Sequence, residues 1–316
     1  MLREYGKPVI CMLGPTASGK TALSLELATR LPFEIISVDS GMIYRGMDIG
    51  TAKPSAAERA GVPHHLIDII DPPESFSAAE FCQRANALID AIYQRGKFPL
   101  LVGGTMMYFR ALQQGLAVLP HADNDVRNLL LEKAASLGWQ ALYAELVQVD
   151  PLYASRIHSN DTQRIQRALE VYYITQSPMS SLMACTQPNT DYHFINIGLF
   201  PQNRKWLHQR IAERWTMMLE QGFIEEVEGV LSAWELTLSM PALRCVGYRQ
   251  AYAYLKGEMN YADFVERGLA ATRQLAKRQL TWLRTWPDTQ SVDCEKLTER
   301  AKVIAIIEKI CNDSTF

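Results

Sequence analysis

The chain has 316 residues, 48% of them apolar and 21% charged, and carries a formal net charge of −2 at pH 7. That length predicts one large α/β domain with a second lobe, and the composition is that of a soluble globular protein. No apolar run approaches the roughly 20 residues of a membrane span, and the near-neutral charge argues against a general nucleic-acid coat while leaving room for a local basic surface.

The first residues, Met1 to Lys7, hold no apolar core of a signal peptide, so a cytoplasmic protein is expected. Six cysteines at positions 11, 82, 185, 245, 294 and 311 form no C-x-x-C pair; they read as reduced structural thiols without a zinc site. Lys7 to Leu13 predicts a buried strand. It runs into Gly14-Pro15-Thr16-Ala17-Ser18-Gly19-Lys20-Thr21, which matches G-x-x-x-x-G-K-[ST], and a helix follows from Ser18 to Leu31. Glycines at the turn let backbone N–H groups close around a phosphate, and the helix N-terminus adds its own donors and dipole. Lys20 supplies a point charge for a diphosphate or triphosphate, and the Thr21 hydroxyl is placed to hold Mg²⁺.

Pro32 breaks the helix, and Glu34 to Val38 predicts a second strand with Asp39 and Ser40 at its carboxyl end, where open parallel sheets bind ligands. Asp39 is either the carboxylate of an Asx-turn or Mg²⁺ neighbourhood, or a general base at the reacting centre. The loop Gly41 to Pro54 is longer than a connection needs and reads as functional. His64-His65 lacks a third ligand and reads as structural or surface. Ser77-Ala78-Ala79-Glu80 is a capping box for a helix to about Arg95. Phe98 to Val102 predicts a further strand ending in Gly103-Gly104-Thr105, where a nucleotide hydrolase would end in a carboxylate. The Thr105 hydroxyl is suited to a phosphate contact and equally to capping a helix.

From Asp123 to Gln176 helical periodicity dominates (Val126, Leu129, Leu130, Leu142, Leu146, Ile165, Leu169, Tyr172), and Ser177-Pro178 ends it before a polar, loop-like stretch to Thr190. Residues 117–190 therefore read as an all-helical insertion between core segments 1–116 and 191–316. Tyr192 to Phe200 reads as the last strand, and everything beyond Asn203 as helical, with breaks near Gly222, Met240-Pro241, 257–260 and Trp286-Pro287. Basic residues cluster at Arg164 and Arg167, at Arg244 and Arg249, and along Arg273, Lys277 and Arg284, which share a helix face that Arg278 does not. Interleaved with Tyr248, Trp282 and Trp286, they suit nucleic-acid phosphates and stacked bases. Arg204, Lys205, Arg210 and Arg214 form a further set that can return an arginine to the phosphate site.

GPTASGKT, VDSGMIYRGMDIGTAKP, LLVGGT, QRIQR and RCVGYRQ together resemble the tRNA dimethylallyltransferase (tRNA isopentenyltransferase) family, from Lys7 to about Trp286. The resemblance implies a P-loop NTPase-like core, a parallel sheet flanked by helices, with a helical insertion that grips the anticodon stem-loop. It implies transfer of a dimethylallyl group from dimethylallyl diphosphate to N6 of the adenine at tRNA position 37; separately, a monomer is expected. The P-loop, Gly14 to Thr21, would hold the prenyl donor's diphosphate with Mg²⁺ on Thr21, although the motif is commonly labelled an ATP site. Lys20, Thr105 and Arg214 would stabilise the leaving group, and Asp39 would take the N6 proton. The amine becomes strongly acidic only as it is alkylated, so a carboxylate suffices. Asp39, Ser40, Gly41, Met42, Thr105, Arg127, Gln163, Arg164, Ile165, Gln166 and Arg167 would touch tRNA. So would Arg244, Cys245, Val246, Gly247, Tyr248 and Arg249, together with Arg273 and the stretch from Lys277 and Arg278 to Arg284. Met42 stands where many members carry Gln, and no C-terminal Cys/His zinc module follows Trp286, so a bacterial-type member is expected.

Three rivals use fewer of these residues. A P-loop kinase of a small metabolite gives no work to the GGT strand end or the basic helices. An adenylate isopentenyltransferase has no need of the long insertion. A nucleotide-dependent RNA-binding switch needs none of Asp39, Thr105 or Arg214.

Overall fold

The computed structural model describes residues 7–184, 188–189 and 191–313. The N-terminal six residues, Cys185 and Thr190 lie outside the described residues. The chain divides into two compact units, Met1–Ala111 with Thr190–Phe316, and Leu112–Asn189.

The first unit is built on a parallel sheet. Its elements begin β1 (Lys7–Leu13), α1 (Lys20–Arg30), β2 (Phe33–Val38), α2 (Ala56–Gly61), β3 (His64–His65), α3 (Ala78–Gln94), β4 (Phe98–Gly103) and α4 (Met106–Gln114). Runs such as PVICML and FEIISV are apolar almost throughout because central parallel strands are covered on both faces. Ser77 caps α3 through the predicted box with Glu80. The strand order is β3-β2-β4-β1, continued by β5 (Tyr192–Phe200) and β6 (Thr289–Asp293). The carboxyl ends of β1, β4 and β2 therefore lie side by side, and they carry the P-loop, the GGT turn and Asp39.

The second unit is helical: α5 (Asn124–Leu137), α6 (Trp139–Val149), α7 (Pro151–Ala154), α8 (Thr162–Thr175) and α9 (Met179–Ala184). Its core gathers Leu130, Leu142, Leu146, Ile165, Leu169 and Val171. Two expectations change here. Leu129 lies outward, 52% exposed, because Leu130 already occupies the inward position of α5. The stretch after Pro178 forms a short helix, α9, anchored where buried Asp150 accepts hydrogen bonds from Ser180 N–H at 2.8 Å and Ser180 Oγ at 2.6 Å.

The C-terminal part returns to the first unit with α10 (Arg204–Glu220), α11 (Phe223–Ala233), a 3-10 turn at Ala242–Arg244, α12 (Tyr248–Leu255), α13 (Tyr261–Arg284) and α14 (Leu297–Asp313). Contrary to the sequence reading, β5 is not the last strand and the chain beyond Asn203 is not wholly helical. The polar segment TQSVD pairs in parallel with β5, from Asn196 opposite Thr289 to Phe200 opposite Asp293. A polar edge strand has little hydrophobic signature, since only one residue in it, Val292, is buried. Helix α14 then closes the core, setting Val303, Ile304 and Ile307 beside Leu23 and Leu27 of α1. A separate core of Tyr44, Met47, Trp215, Phe223, Tyr248 and Phe264 ties helices α10 to α13 to the loop after β2.

Candidate active site

Two left-handed residues, Ala17 at φ 63° and Gly19 at φ 90°, turn the chain from β1 into α1. Gly19 is the N-cap and offers no side chain, so the first N–H groups of the helix stay open to an anion. Lys20 Nζ donates to the carbonyls of Gly14 at 2.9 Å and Pro15 at 2.7 Å. Burial, and secondarily the neighbouring Arg214, bring its pKa down to about 8, with Asp39 opposing the shift. Arg210 Nε donates to Ala17 O at 2.9 Å and so buttresses the loop from outside. Arg214, one turn further along α10, reaches the cavity itself and donates to Thr51 O at 3.4 Å. Burial lowers its pKa, and Asp39 partly restores it. The basic set on α10 thus does bring an arginine back to the P-loop.

At the end of β2, Asp39 Oδ1 accepts the N–H groups of Gly41 at 2.8 Å and Met42 at 3.3 Å. One oxygen therefore makes the Asx-type turn, and Oδ2 has no hydrogen-bond partner among the described residues. At the end of β4, Thr105 N–H donates to Val38 O at 3.2 Å, and the Thr105 hydroxyl accepts Ser40 N–H at 3.1 Å. That hydroxyl engages the neighbouring strand end, where the alternative reading placed it on its own helix. Gly103 has to be glycine: a Cβ there would sit 2.0 Å from Val38 O.

These groups face one cavity of about 580 Å³. Thr16, Ala17, Lys20 and Thr21 line it from the P-loop, and Asp39, Ser40, Gly41, Met42 and Thr105 from the other two strand ends. Arg214, Arg244, Cys245, Val246, Arg278 and Trp282 line it as well. Gly14, Pro15, Ser18 and Gly19 shape the loop without lining the cavity. Arg278, the residue off the shared basic face, is the one that meets the cavity, while Arg249, Arg273, Lys277 and Arg284 are exposed and lie away from it.

Four expected tRNA contacts, Tyr248, Gly247, Trp286 and Ile165, are corrected by burial. Tyr248 is completely buried, stacked edge-on against Phe223 and donating its hydroxyl to Glu226 Oε1 at 2.6 Å, so its ring serves the core. Gly247 beside it is buried at φ 94°. Trp286 is likewise buried, against Phe109, and offers no stacking surface. In the second unit Ile165 is a core residue with no exposure. Around it, Gln163 and Arg164 are exposed, Arg164 pairing with Asp161 at 3.4 Å. Arg127 Nε and Arg167 Nη1 both donate to the buried Glu170 at 2.9 Å, and Gln166 Nε2 donates to Arg127 O at 3.4 Å.

Some organising residues were given no structural role by the sequence. Glu226 accepts the N–H groups of Asp48 at 2.7 Å, Ile49 at 2.6 Å and Gly50 at 3.0 Å, and a Cβ on Gly50 would strike Phe223. Lys53 Nζ, nearly buried, holds Asp48 and Asp68, each at 2.5 Å. Gln279 on α13 touches both the P-loop and the GGT turn; only its interval of one turn from Leu275 and Trp282 hinted at an inward position. At the sheet's outer edge, His65 Nε2 meets Glu34 at 2.7 Å, so the His-His pair is structural.

The family model described as IPP transferase matches residues 42–286. A tRNA dimethylallyltransferase from Legionella pneumophila (strain Corby) is 56% identical over 308 residues, covering 98% of each chain. One from Ralstonia pickettii is 56% identical over 292 residues, covering 90% of each. Among solved structures, a tRNA isopentenylpyrophosphate transferase from Bacillus halodurans is 38% identical with a TM-score of 0.71, covering 97% of each chain. A eukaryotic dimethylallyltransferase acting on tRNA is 27% identical with a TM-score of 0.82, covering 98% of this chain and 80% of its own.

Proposed function

The chain belongs to the IPP transferase family, and from that premise we propose that it transfers the dimethylallyl group of dimethylallyl diphosphate to N6 of adenine 37 in tRNA. The observation that carries the residue roles is the meeting of Asp39, with one carboxylate oxygen unpartnered, and two cations, Lys20 and Arg214, in one cavity. In the reaction the C1–O bond of the donor breaks as the N6–C1 bond forms. Diphosphate leaves toward Lys20, Arg214, Thr105 and the open N–H groups of the P-loop, where developing negative charge is stabilised most. Asp39 accepts the N6 proton.

Mg²⁺ fits this site in a limited way. Thr21 lines the cavity, and among the described residues no group of three or more His, Cys, Asp or Glu is placed to hold a metal. A hard ion held by one hydroxyl takes its remaining oxygens from diphosphate and water, which is how Mg²⁺ is usually bound; when bound it neutralises leaving-group charge.

The tRNA approaches over Ser40, Gly41, Met42, Arg244, Cys245, Val246 and Arg278, all of which line the cavity. Arg127, Gln163, Arg164 and Arg167 of the helical unit grip the anticodon stem-loop, and the enzyme acts as a monomer. The target base must leave its stack to reach N6, at a cost of a few kcal/mol. Water is kept from the allylic centre by the apolar part of the lining, which includes Ile43, Met106, Tyr108 and Trp215, since hydrolysis competes with transfer.

The decisive test is a single-turnover assay with radiolabelled dimethylallyl diphosphate, Mg²⁺ and an anticodon stem-loop RNA, with AMP and ATP in parallel. Label in RNA without ATP is expected. In Asp39→Ala, RNA binding should persist while transfer falls by about 10²–10⁴-fold, the usual share of a general base. Label in AMP would move the acceptor to free nucleotides, and ATP consumption without labelled RNA would restore the kinase reading.

A further inference from the structure

We propose that Gln279 is a positioning residue that holds the donor loop and the acceptor turn in register during transfer; the proposal rests on the prenyl-transfer reading above. Gln279 projects from α13, whose Phe264, Ala276 and Leu283 are buried and whose Gly268 lies so close to Trp215 that a Cβ would approach its ring to 2.1 Å. Its backbone is therefore fixed by packing. From that platform a single carboxamide spans two strand ends. Oε1 accepts the N–H of Thr16 in the P-loop at 2.8 Å, and Nε2 donates to the carbonyl of Gly104 at 3.0 Å.

Gly104 is fitted to this contact, because a Cβ there would lie 2.2 Å from Gln279 Nε2. Beyond Gly104 the connection continues. The Thr105 hydroxyl accepts Ser40 N–H at 3.1 Å, and Ser40 adjoins Asp39. A chain of short contacts thus runs from the loop that holds the diphosphate, through Gln279 and the GGT turn, to the general base. The bridge needs one acceptor and one donor on the same planar group. Glu keeps the acceptor and loses the donor, Met keeps the length and loses both, and Asn keeps both but falls about 1.5 Å short, one carbon–carbon bond.

Reacting atoms must be held about 3–3.5 Å apart and aligned, and a 1 Å misplacement can lower a rate by about 10²-fold. When the bridge is cut, the donor still binds the P-loop and RNA still binds its own surface, but C1 and N6 lose alignment. Water then competes: its oxygen bonds C1 as the C1–O bond to diphosphate breaks. The products are dimethylallyl alcohol and diphosphate, and the released proton goes to solvent.

The experiment follows single-turnover labelling of stem-loop RNA and formation of dimethylallyl alcohol, together with the thermal midpoint and RNA affinity. Wild type is compared with Gln279→Met, Gln279→Asn and Gln279→Glu, and with Gln274→Met, an exposed residue on the same helix, as control. The three Gln279 variants should lose roughly 10²-fold in transfer rate at saturating donor. Their share of alcohol should rise, with midpoint and RNA affinity unchanged, and Gln274→Met should match wild type. Equal rates and equal product ratios in wild type and Gln279→Met would overturn the inference alone. So would a loss of rate that tracks a lowered midpoint at an unchanged product ratio, since that is a purely structural role. Wild type that leaves RNA unlabelled would overturn the prenyl-transfer reading itself.

Discussion

Lys20 shows how much one side chain's surroundings alter its chemistry. Its ammonium is held by two backbone carbonyls, and burial with Arg214 nearby brings its pKa to about 8. Binding an anion favours the charged form, so a proton is taken up at any pH where Lys20 starts neutral. Its contribution to diphosphate binding should be complete below about pH 8 and should fall as pH rises above that, by up to about tenfold per pH unit. Calorimetric titration with inorganic diphosphate, wild type against Lys20→Met, measures this: the affinity advantage of wild type should be constant on the acid side of 8 and shrink on the alkaline side. Asp39 divides its work between two oxygens. One shapes the turn through Gly41 and Met42, the first of the two readings offered by the sequence, while the other has no hydrogen-bond partner among the described residues, as the proposed general base requires.

Among elements, the long loop after β2 owes its shape to a helix almost 180 residues further on. Glu226 of α11 gathers three consecutive N–H groups, from Asp48 to Gly50, and the hydroxyl of Tyr248. Removing that carboxylate leaves partly buried donors unpaired. Glu226→Ala should lower unfolding free energy by about 3 kcal/mol, read as a shift in the urea midpoint, and should slow transfer because the same loop carries Ser40 to Met42 into the cavity. Within the helical unit, Glu170 does comparable work for Arg127 and Arg167, holding both guanidinium groups by inward hydrogen bonds. Arg164 is the freer of the two arginines on α8. Replacing Arg164 and Arg167 together by Ala should flatten the salt dependence of tRNA binding by roughly one to two units of slope. An unchanged slope in a binding titration against salt would remove them from the interface.

At the scale of the whole molecule, stability in acid depends on the sheet's outer edge. Glu34 is nearly buried and accepts hydrogen bonds from Arg95 and His65, with Lys97 close by, and these hold its carboxyl at about 2, below the ordinary 4.5. A carboxylate whose folded pKa is depressed contributes stability in full above its unfolded value and loses it as pH falls toward the folded one. The stability gap between wild type and Glu34→Gln should therefore be widest above about pH 4.5 and close as pH falls toward 2, as denaturant midpoints across that range would show. No described helix is long and apolar enough to cross a membrane.

The P-loop, the three strand ends and the helical insertion were legible in the sequence because each has local causes: apolar runs of strand length, glycines where the backbone must turn left-handed, capping boxes, and helical periodicity. Asp39, Lys20, Thr21 and Thr105, which line one cavity, stand out in the sequence because they sit next to such signals. The tertiary structure alone decided which faces of the later helices look inward. It buried Tyr248 and Ile165, added β6 as a polar edge strand and set Gln279 between two turns more than 170 residues away. The physical reason is the same in each case. Charge and aromatic character are properties of a residue, whereas burial and hydrogen-bond partnership are properties of what the rest of the chain packs against it.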